Sequence, residues 1–435
     1  MNTDRQPRGE YWHRLVGLFF LGWMLIYANR TVLSPFLTLL EAQWGMTRSQ
    51  LGLLNSAFFL MYTLLQVPTG ILADRFGRRL LLLPGYLVHA IGATASGLAG
   101  GAGGFLAARV VTGIGQSTYY STQYALASAA IPRRSRALGM AIINSGMAFG
   151  IAGGMLAASA ALAAGADWRA PFLVLAVLTF ILTGAFARFV RADQPAIKPQ
   201  AQPEVVAAPG KGDRASAGTR TAAPGHAGRR DRMAPISRNV ALSYFVAFAT
   251  MYGFFVILTW LPYYLETQRG LTGATSGLVS TGVAFAAVPA GVLAGRISDR
   301  IGKRRPVLLA LTPLAGLALT AIVTAPSTPL VFAAIILYGV TGKLVVDPLL
   351  VAMVADATPV HAYGTAFGIL NFAGTISTVL APAVTGMIAD WSGSFTTAFL
   401  LAAGLQLVAS LCILVMQPEG TAIQASRTGA AGEAA

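Results

Sequence analysis

The sequence predicts an all-α polytopic membrane protein: twelve transmembrane helices in two pseudo-symmetric six-helix bundles around a central cavity. Three observations lead there. The 435 residues are 55% hydrophobic and only 11% charged, with mean hydropathy +0.63, whereas a soluble chain carries roughly a quarter charged residues. Apolar runs of about 20 residues, each long enough to cross a bilayer as a helix, recur along most of the chain. The basic residues gather in alternate loops, as the positive-inside rule requires of cytoplasmic loops.

The expected spans follow in order. The first, 14–40, is apolar except for a polar knot, Tyr27, Asn29 and Arg30; the second, 51–72, carries Asn55 and Gln66 and ends at the basic loop 74–79. Spans at 80–99 and 105–131 are joined by the uncharged GGAGG at 100–104, and the latter holds Arg109, Gln116, Tyr119 and Tyr120. The loop PRRSR at 132–136 leads to 137–165, where Gly146, Gly150, Gly153 and Gly154 make a seam for close helix packing. The sixth span is 171–190. The second set is 239–265 (with Tyr252 and Trp260), 275–297, 306–325, 328–356 (with Lys343 and Asp347), 362–386 (with Asn371 and Thr375) and 395–416.

Residues 1–191 and 239–417 are thus two six-helix bundles. The stretch 192–238 is rich in Pro, Ala, Gly and charge, and reads as a flexible cytoplasmic linker; 418–435 reads as a disordered tail. The halves repeat. GILADRFGRR at 70–79 answers GRISDRIGKRR at 295–305, offset by 225 residues, and the Pro-to-Asn pairs Pro132/Asn144 and Pro359/Asn371 are offset by 227. A parallel duplication places two bundles about an axis along the membrane normal, with a cavity of alternating access between them. Loop charge puts both termini and the linker in the cytoplasm. No cleavable signal is expected, because the run after Arg14 is too long for one.

Several classes are excluded. One cysteine and four scattered histidines offer no disulfide framework or metal cluster. The net charge of +15 is accounted for by loop Lys and Arg, so no nucleic-acid partner is expected. There is no phosphate-binding glycine loop with its Lys, and no nucleophile set or paired carboxylates, so neither ATP drive nor an enzyme is expected, and no cofactor.

GILADRFGRR and its repeat resemble the cytoplasmic motif between spans 2 and 3 of the major facilitator superfamily, and ARVVTGIGQS at 108–117 resembles its span 4 pattern. The resemblance covers essentially the whole chain and implies transport of a small solute without chemistry. Physically the motif suits a gate latch: Gly70 and Gly295 permit close approach, Asp74 and Asp299 can cap a neighbouring helix, and Arg75, Arg78 and Arg300 can reach carboxylates or helix C-termini. YANRTVLS at 27–34 and the second span resemble the anion:cation symporter branch, whose members carry organic anions, commonly inward with protons. Two positions depart from it. Asn29 stands where that branch has an acid, and Gln116 where some sugar-acid members have Glu; neither side chain titrates. Helix 5 lacks the Pro of the drug/proton antiporter pattern.

Charges inside spans are costly unless they face a cavity or a partner, so they are the candidates for function. Arg30 is the expected anion clamp, since a guanidinium fork matches carboxylate, sulfonate or phosphate oxygens, and it competes with a purely structural role. Tyr27 lies one turn before it. Lys343 is the expected second cationic contact. Asp347, four residues on, is its counter-ion and a candidate proton carrier; a silent ion pair is the alternative. Tyr119, Tyr252, Asn371 and Gln116 complete the expected binding set, and Asn29 and Arg109 join Asp347 in coupling. The expectation is a monomeric, multi-pass transporter of a small anion in a bacterial inner membrane, with proton coupling open. A drug or cation exporter of the same fold, an anion exchanger, and a transporter-like sensor are the alternatives.

Overall fold

The computed structural model describes residues 8–132, 135–191, 238–358 and 363–417; the linker and tail expectations lie outside them. The described chain is helical throughout, without strands. In order the helices are α1 (Arg8–Thr31), a 3-10 turn (Ser34–Phe36), α2 (Leu37–Trp44), α3 (Arg48–Phe76), α4 (Arg78–Gly97), α5 (Ala102–Ser117), α6 (Tyr119–Ala130), α7 (Arg136–Ala163) and α8 (Arg169–Phe189). The second half has α9 (Arg238–Arg269), α10 (Gly273–Ser280), α11 (Gly282–Ile301), α12 (Arg305–Thr324), α13 (Thr328–Thr341), α14 (Lys343–Asp356), α15 (Tyr363–Ser392) and α16 (Phe395–Val415).

Among the described residues, eleven segments are long and apolar enough to cross a membrane. The remaining expected span, the fourth (105–131), is broken at Thr118 into α5 and α6 and carries Arg109, Gln116 and Gln123. Each of these side chains makes at least one bond inside the bundle, while Arg109 Nε and Gln123 Nε2 are buried without a partner among the described residues. Two spans in the second half are also broken: the eighth, α10/α11, at Thr281, and the tenth, α13/α14, the repeat counterpart of α5/α6, at Gly342, whose extended backbone (φ −79°, ψ −167°) stops one helix and starts the next at Lys343.

The glycine seam fixes α1. A Cβ on Gly146, Gly150 or Gly154 of α7 would collide with the carbonyls of Phe20, Met24 and Ala28. The matching four-residue steps let the two helices touch backbone to backbone, and Thr31 adds a bond to the Ile151 carbonyl at 3.2 Å. Gly153 has open space beside it and takes no part.

The twofold relation extends to the basic ends. Arg79 donates to the Ala187 carbonyl at 2.6 Å, at the end of α8; Arg305 donates to the carbonyls of Ile413 at 3.1 Å and Leu414 at 2.6 Å, at the end of α16. Both guanidinium groups meet the free carbonyls and negative pole of the last helix of their own half.

The halves close on each other at the opposite end. Asp390 of α15 accepts from the Arg48 and Ser49 amides at 3.1 and 2.8 Å, capping the N-terminus of α3 from the other half. Arg48 donates to the Ala389 carbonyl at 2.9 Å, Tyr263 to Glu41 at 2.6 Å, and Thr38 to Glu266 at 2.7 Å. Ser56 bonds the Val379 carbonyl at 2.6 Å and accepts from the Ala383 amide at 3.1 Å. At the basic end, Asp74 lies 3.8 Å from Arg78, and Arg304 pairs with Asp299 and, at 3.9 Å, with Asp356. These pairs tie each half to itself. Gly70 has only the Ser121 side chain near its Cβ direction, at 3.8 Å, and Gly295 has open space, so in this conformation neither sits at the close approach expected of it.

Candidate functional site

Arg30, in the last turn of α1, is 5% exposed. Its guanidinium lies over four rings, those of Tyr62 (4.6 Å), Tyr27 (4.7 Å), Phe59 (5.4 Å) and Phe58 (5.5 Å). Nε donates to Gln116 Oε1 at 3.0 Å, while Nη2 is buried with no acceptor among the described residues. Aromatic faces attract a cation without neutralising it. Arg30 therefore keeps its charge in a place where an acid would be the ordinary partner.

Three of the cage residues come from one face of α3. Asn55, Phe58/Phe59, Tyr62 and Gln66 recur at helical spacing and are buried. That stripe was present in the sequence, but only its Asn and Gln stood out as polar; Phe58, Phe59 and Tyr62 were missed.

Arg109 is fully buried and bound on two sides. Nη1 donates to the Asn29 carbonyl at 3.1 Å and to its side-chain oxygen at 3.3 Å, and Nη2 donates to Asn55 Oδ1 at 3.0 Å. Its guanidinium also lies 4.7 Å from the Phe58 ring centre. Asn29 is consumed as its partner. Arg109 thus ties α5 to α1 and α3.

Gln116 passes the arrangement on to α4: its Nε2 lies 3.0 Å from His89 Nε2. His89 is fully buried and was not singled out by its sequence position, since an isolated histidine carries no spacing signal.

Lys343 opens α14 at the break in the tenth span. It is 9% exposed at the side chain and lies 3.2 Å from Asp347, which is 43% exposed although it sits mid-helix. Among the described residues Asp347 is the acid placed inside a span, away from helix ends and loops. The pair faces the first half: Lys343 lies within electrostatic range of Tyr27 and Tyr124, and Tyr62 within range of both Lys343 and Arg30. Tyr120 and Tyr124, with ring centres 4.7 Å apart, join Tyr27 and Tyr62 in an aromatic wall on the first-half side of this pair, and Tyr124 donates to Asn144 at 3.0 Å.

Other expected members are elsewhere. Tyr119 is fully buried in the first bundle, its hydroxyl donating to the Phe19 carbonyl at 2.9 Å, with Trp23 and Tyr86 packed on its ring. It points away from the wall because the break at Thr118 hands that direction to Tyr120. Tyr252 of α9 is buried, its ring beside that of Phe248. Asn371 is exposed and donates to Gln66 at 3.3 Å, a bond between the halves.

Comparison with known proteins follows the same lines. The family profile described as Major Facilitator Superfamily matches residues 19–276 and 240–432. The chain is 26% identical to a hexuronate transporter of Bacillus subtilis, over 92% of this chain and 95% of that one. It is 28% identical to a probable sulfoacetate transporter of Cupriavidus necator (93% and 94%) and 25% identical to a gentisate transporter of Corynebacterium glutamicum (93% and 88%). In fold it is similar to a bacterial homologue of the human lysosomal transporter Spinster, in an inward-facing, unoccupied conformation, with TM-score 0.69, 15% identity, and 93% and 95% of the two chains covered.

Proposed function

This chain belongs to the major facilitator superfamily, and on that premise we propose that it carries small organic anions into a bacterial cell by alternating access. The observation that carries the reading is Arg30: a buried guanidinium caged by aromatic rings, with one nitrogen held by Gln116 and no acid beside it among the described residues. A carboxylate or sulfonate arriving from the cavity supplies the missing counter-charge and strong, charge-assisted hydrogen bonds. Hexuronate, sulfoacetate and gentisate, the solutes in the relatives' names, are all carboxylates.

Lys343 completes the site from the second half. Its neighbours at the start of α14 are backbone amides at a helix N-terminus, which favour an anion. An anion held between Arg30 and Lys343 draws the bundles together, because the two cations belong to different halves. Asp347 then loses Lys343 as its partner and becomes free to take up a proton. Coupling through Asp347 replaces any route through position 29 or 116, where Asn and Gln cannot titrate. The basic loops lie on the cytoplasmic side and the Asp390 end outside, so the conformation with Asp390 engaged is the one open to the cytoplasm.

The test is uptake and counterflow in proteoliposomes with labelled glucuronate, sulfoacetate and gentisate, with and without a pH gradient. Saturable uptake of at least one, accelerated by acid outside, is the expected result. Absence of uptake for all three, with a cationic dye transported instead, would replace the reading with an exporter.

A further inference from the structure

The bond between Gln116 and His89 determines more than packing. The Nε of Arg30 can only donate, so the Gln116 atom facing it at 3.0 Å is its carbonyl oxygen. The other end of that amide, an NH2 that can only donate, therefore faces His89 Nε2 at 3.0 Å. His89 Nε2 must accept, which requires a neutral imidazole with its proton on Nδ1. The backbone enforces the approach: a Cβ at Gly115 would collide with the His89 amide nitrogen, so only glycine lets α5 and α4 come this close.

The charges around the ring act the same way. The groups facing it are Arg30 from α1 and Arg109 from α5, and the Tyr86 ring packs on it from its own helix; no acid among the described residues does. A proton on His89 would be a third positive charge beside two arginines in a water-poor core. It would also turn Nε2 into a donor facing a donor. Gln116 would have to flip, and its NH2 would then oppose Arg30 Nε.

We propose that His89 is a positioning residue for the anion clamp: its Nε2 accepts from Gln116, which fixes that amide and through it the orientation of the Arg30 fork. The role rests on the reading of Arg30 as the anion contact, but the imidazole state is testable without any solute.

The experiment has two arms. In the first, the full chain labelled with 15N-histidine in detergent is read by long-range 1H–15N correlation, with His89→Gln identifying the His89 signals. His89 should show the Nδ1–H tautomer and stay unchanged between about pH 5 and about pH 8, a range in which a free imidazole titrates. In Gln116→Glu the carboxylate accepts from both sides, so the tautomer should reverse to Nε2–H. An Nε2–H tautomer or titration in the wild type would overturn the proposal. In the second arm, binding of glucuronate, sulfoacetate and gentisate to the purified chain is compared across variants. His89→Gln, whose amide oxygen can accept, should stay within about 3-fold of wild type, whereas His89→Leu should weaken binding by ~10-fold or more. Wild-type affinity in a folded His89→Leu would also overturn it. If none of the three anions binds the wild type, the anion reading fails while the tautomer still decides the role of His89.

Discussion

Arg109 closes on Asn29, taking its backbone carbonyl at 3.1 Å and its side-chain oxygen at 3.3 Å, while its second nitrogen reaches Asn55. The position where resembling transporters keep an acid is here a neutral bracket for a buried arginine. Two arginines in the first bundle consequently lack acidic partners among the described residues. That excess positive charge is what the proposed anion site rests on.

Arg109 and Arg30 should separate on substitution. Arg109→Lys cannot fork to Asn29 and Asn55 together, so it should lower stability by about 2 kcal/mol and shift the thermal midpoint of the purified protein downward. A midpoint equal to wild type would show that the bracket is dispensable.

Arg30→Gln should leave folding near normal, because it removes an uncompensated buried charge. Its cost should fall on the solute, with anion affinity reduced by about 10- to 100-fold, the worth of a charge-assisted hydrogen bond. Isothermal titration with the best of the three carboxylates gives the answer; unchanged affinity would remove Arg30 from the site.

Lys343 and Asp347 should fail differently. Lys343→Met should abolish uptake while membrane expression persists. Asp347→Asn should keep counterflow, which needs only binding and exchange, but lose acceleration by an acid-outside gradient. Equal loss of both activities in both variants would mean that the pair merely holds the tenth span in place.

Asp390 should set the balance of conformations. Asp390→Asn weakens the charged cap on α3, an interaction of about 1 kcal/mol, and should raise the population open at that end about 5-fold. Spin labels at Leu53→Cys and Trp391→Cys, both exposed positions, in a chain with Cys412→Ser, would report longer distances in the variant. An unaltered distance distribution would show that Arg48, Tyr263 and Glu41 hold that end without it.

Much of the architecture was legible in the sequence because lipid imposes a one-dimensional rule. Apolar length and loop charge marked the spans, and the GILADRFGRR repeat marked the duplication. The seam on α7 was visible as spaced glycines, although spacing alone did not tell that Gly153 stands outside it. Arg30, Lys343 and Asp347 were conspicuous because charge in a span is costly. The aromatic cage was not, since Phe58, Phe59 and Tyr62 look like any buried stripe until the helix that they face is known. Tyr119 and Tyr120 show the same limit: neighbours in sequence point about 100° apart on a helix, and only the break at Thr118 decides which one reaches the wall.

By itself, the sequence determined that the chain crosses the membrane in two related bundles and that a few charges inside it need partners. The tertiary structure decided which partners they have. Asn29 went to Arg109, Gln116 was shared between Arg30 and His89, and Asp347 was assigned to Lys343, because hydrogen bonds between helices depend on rotation and depth, which the order of residues along one helix does not encode.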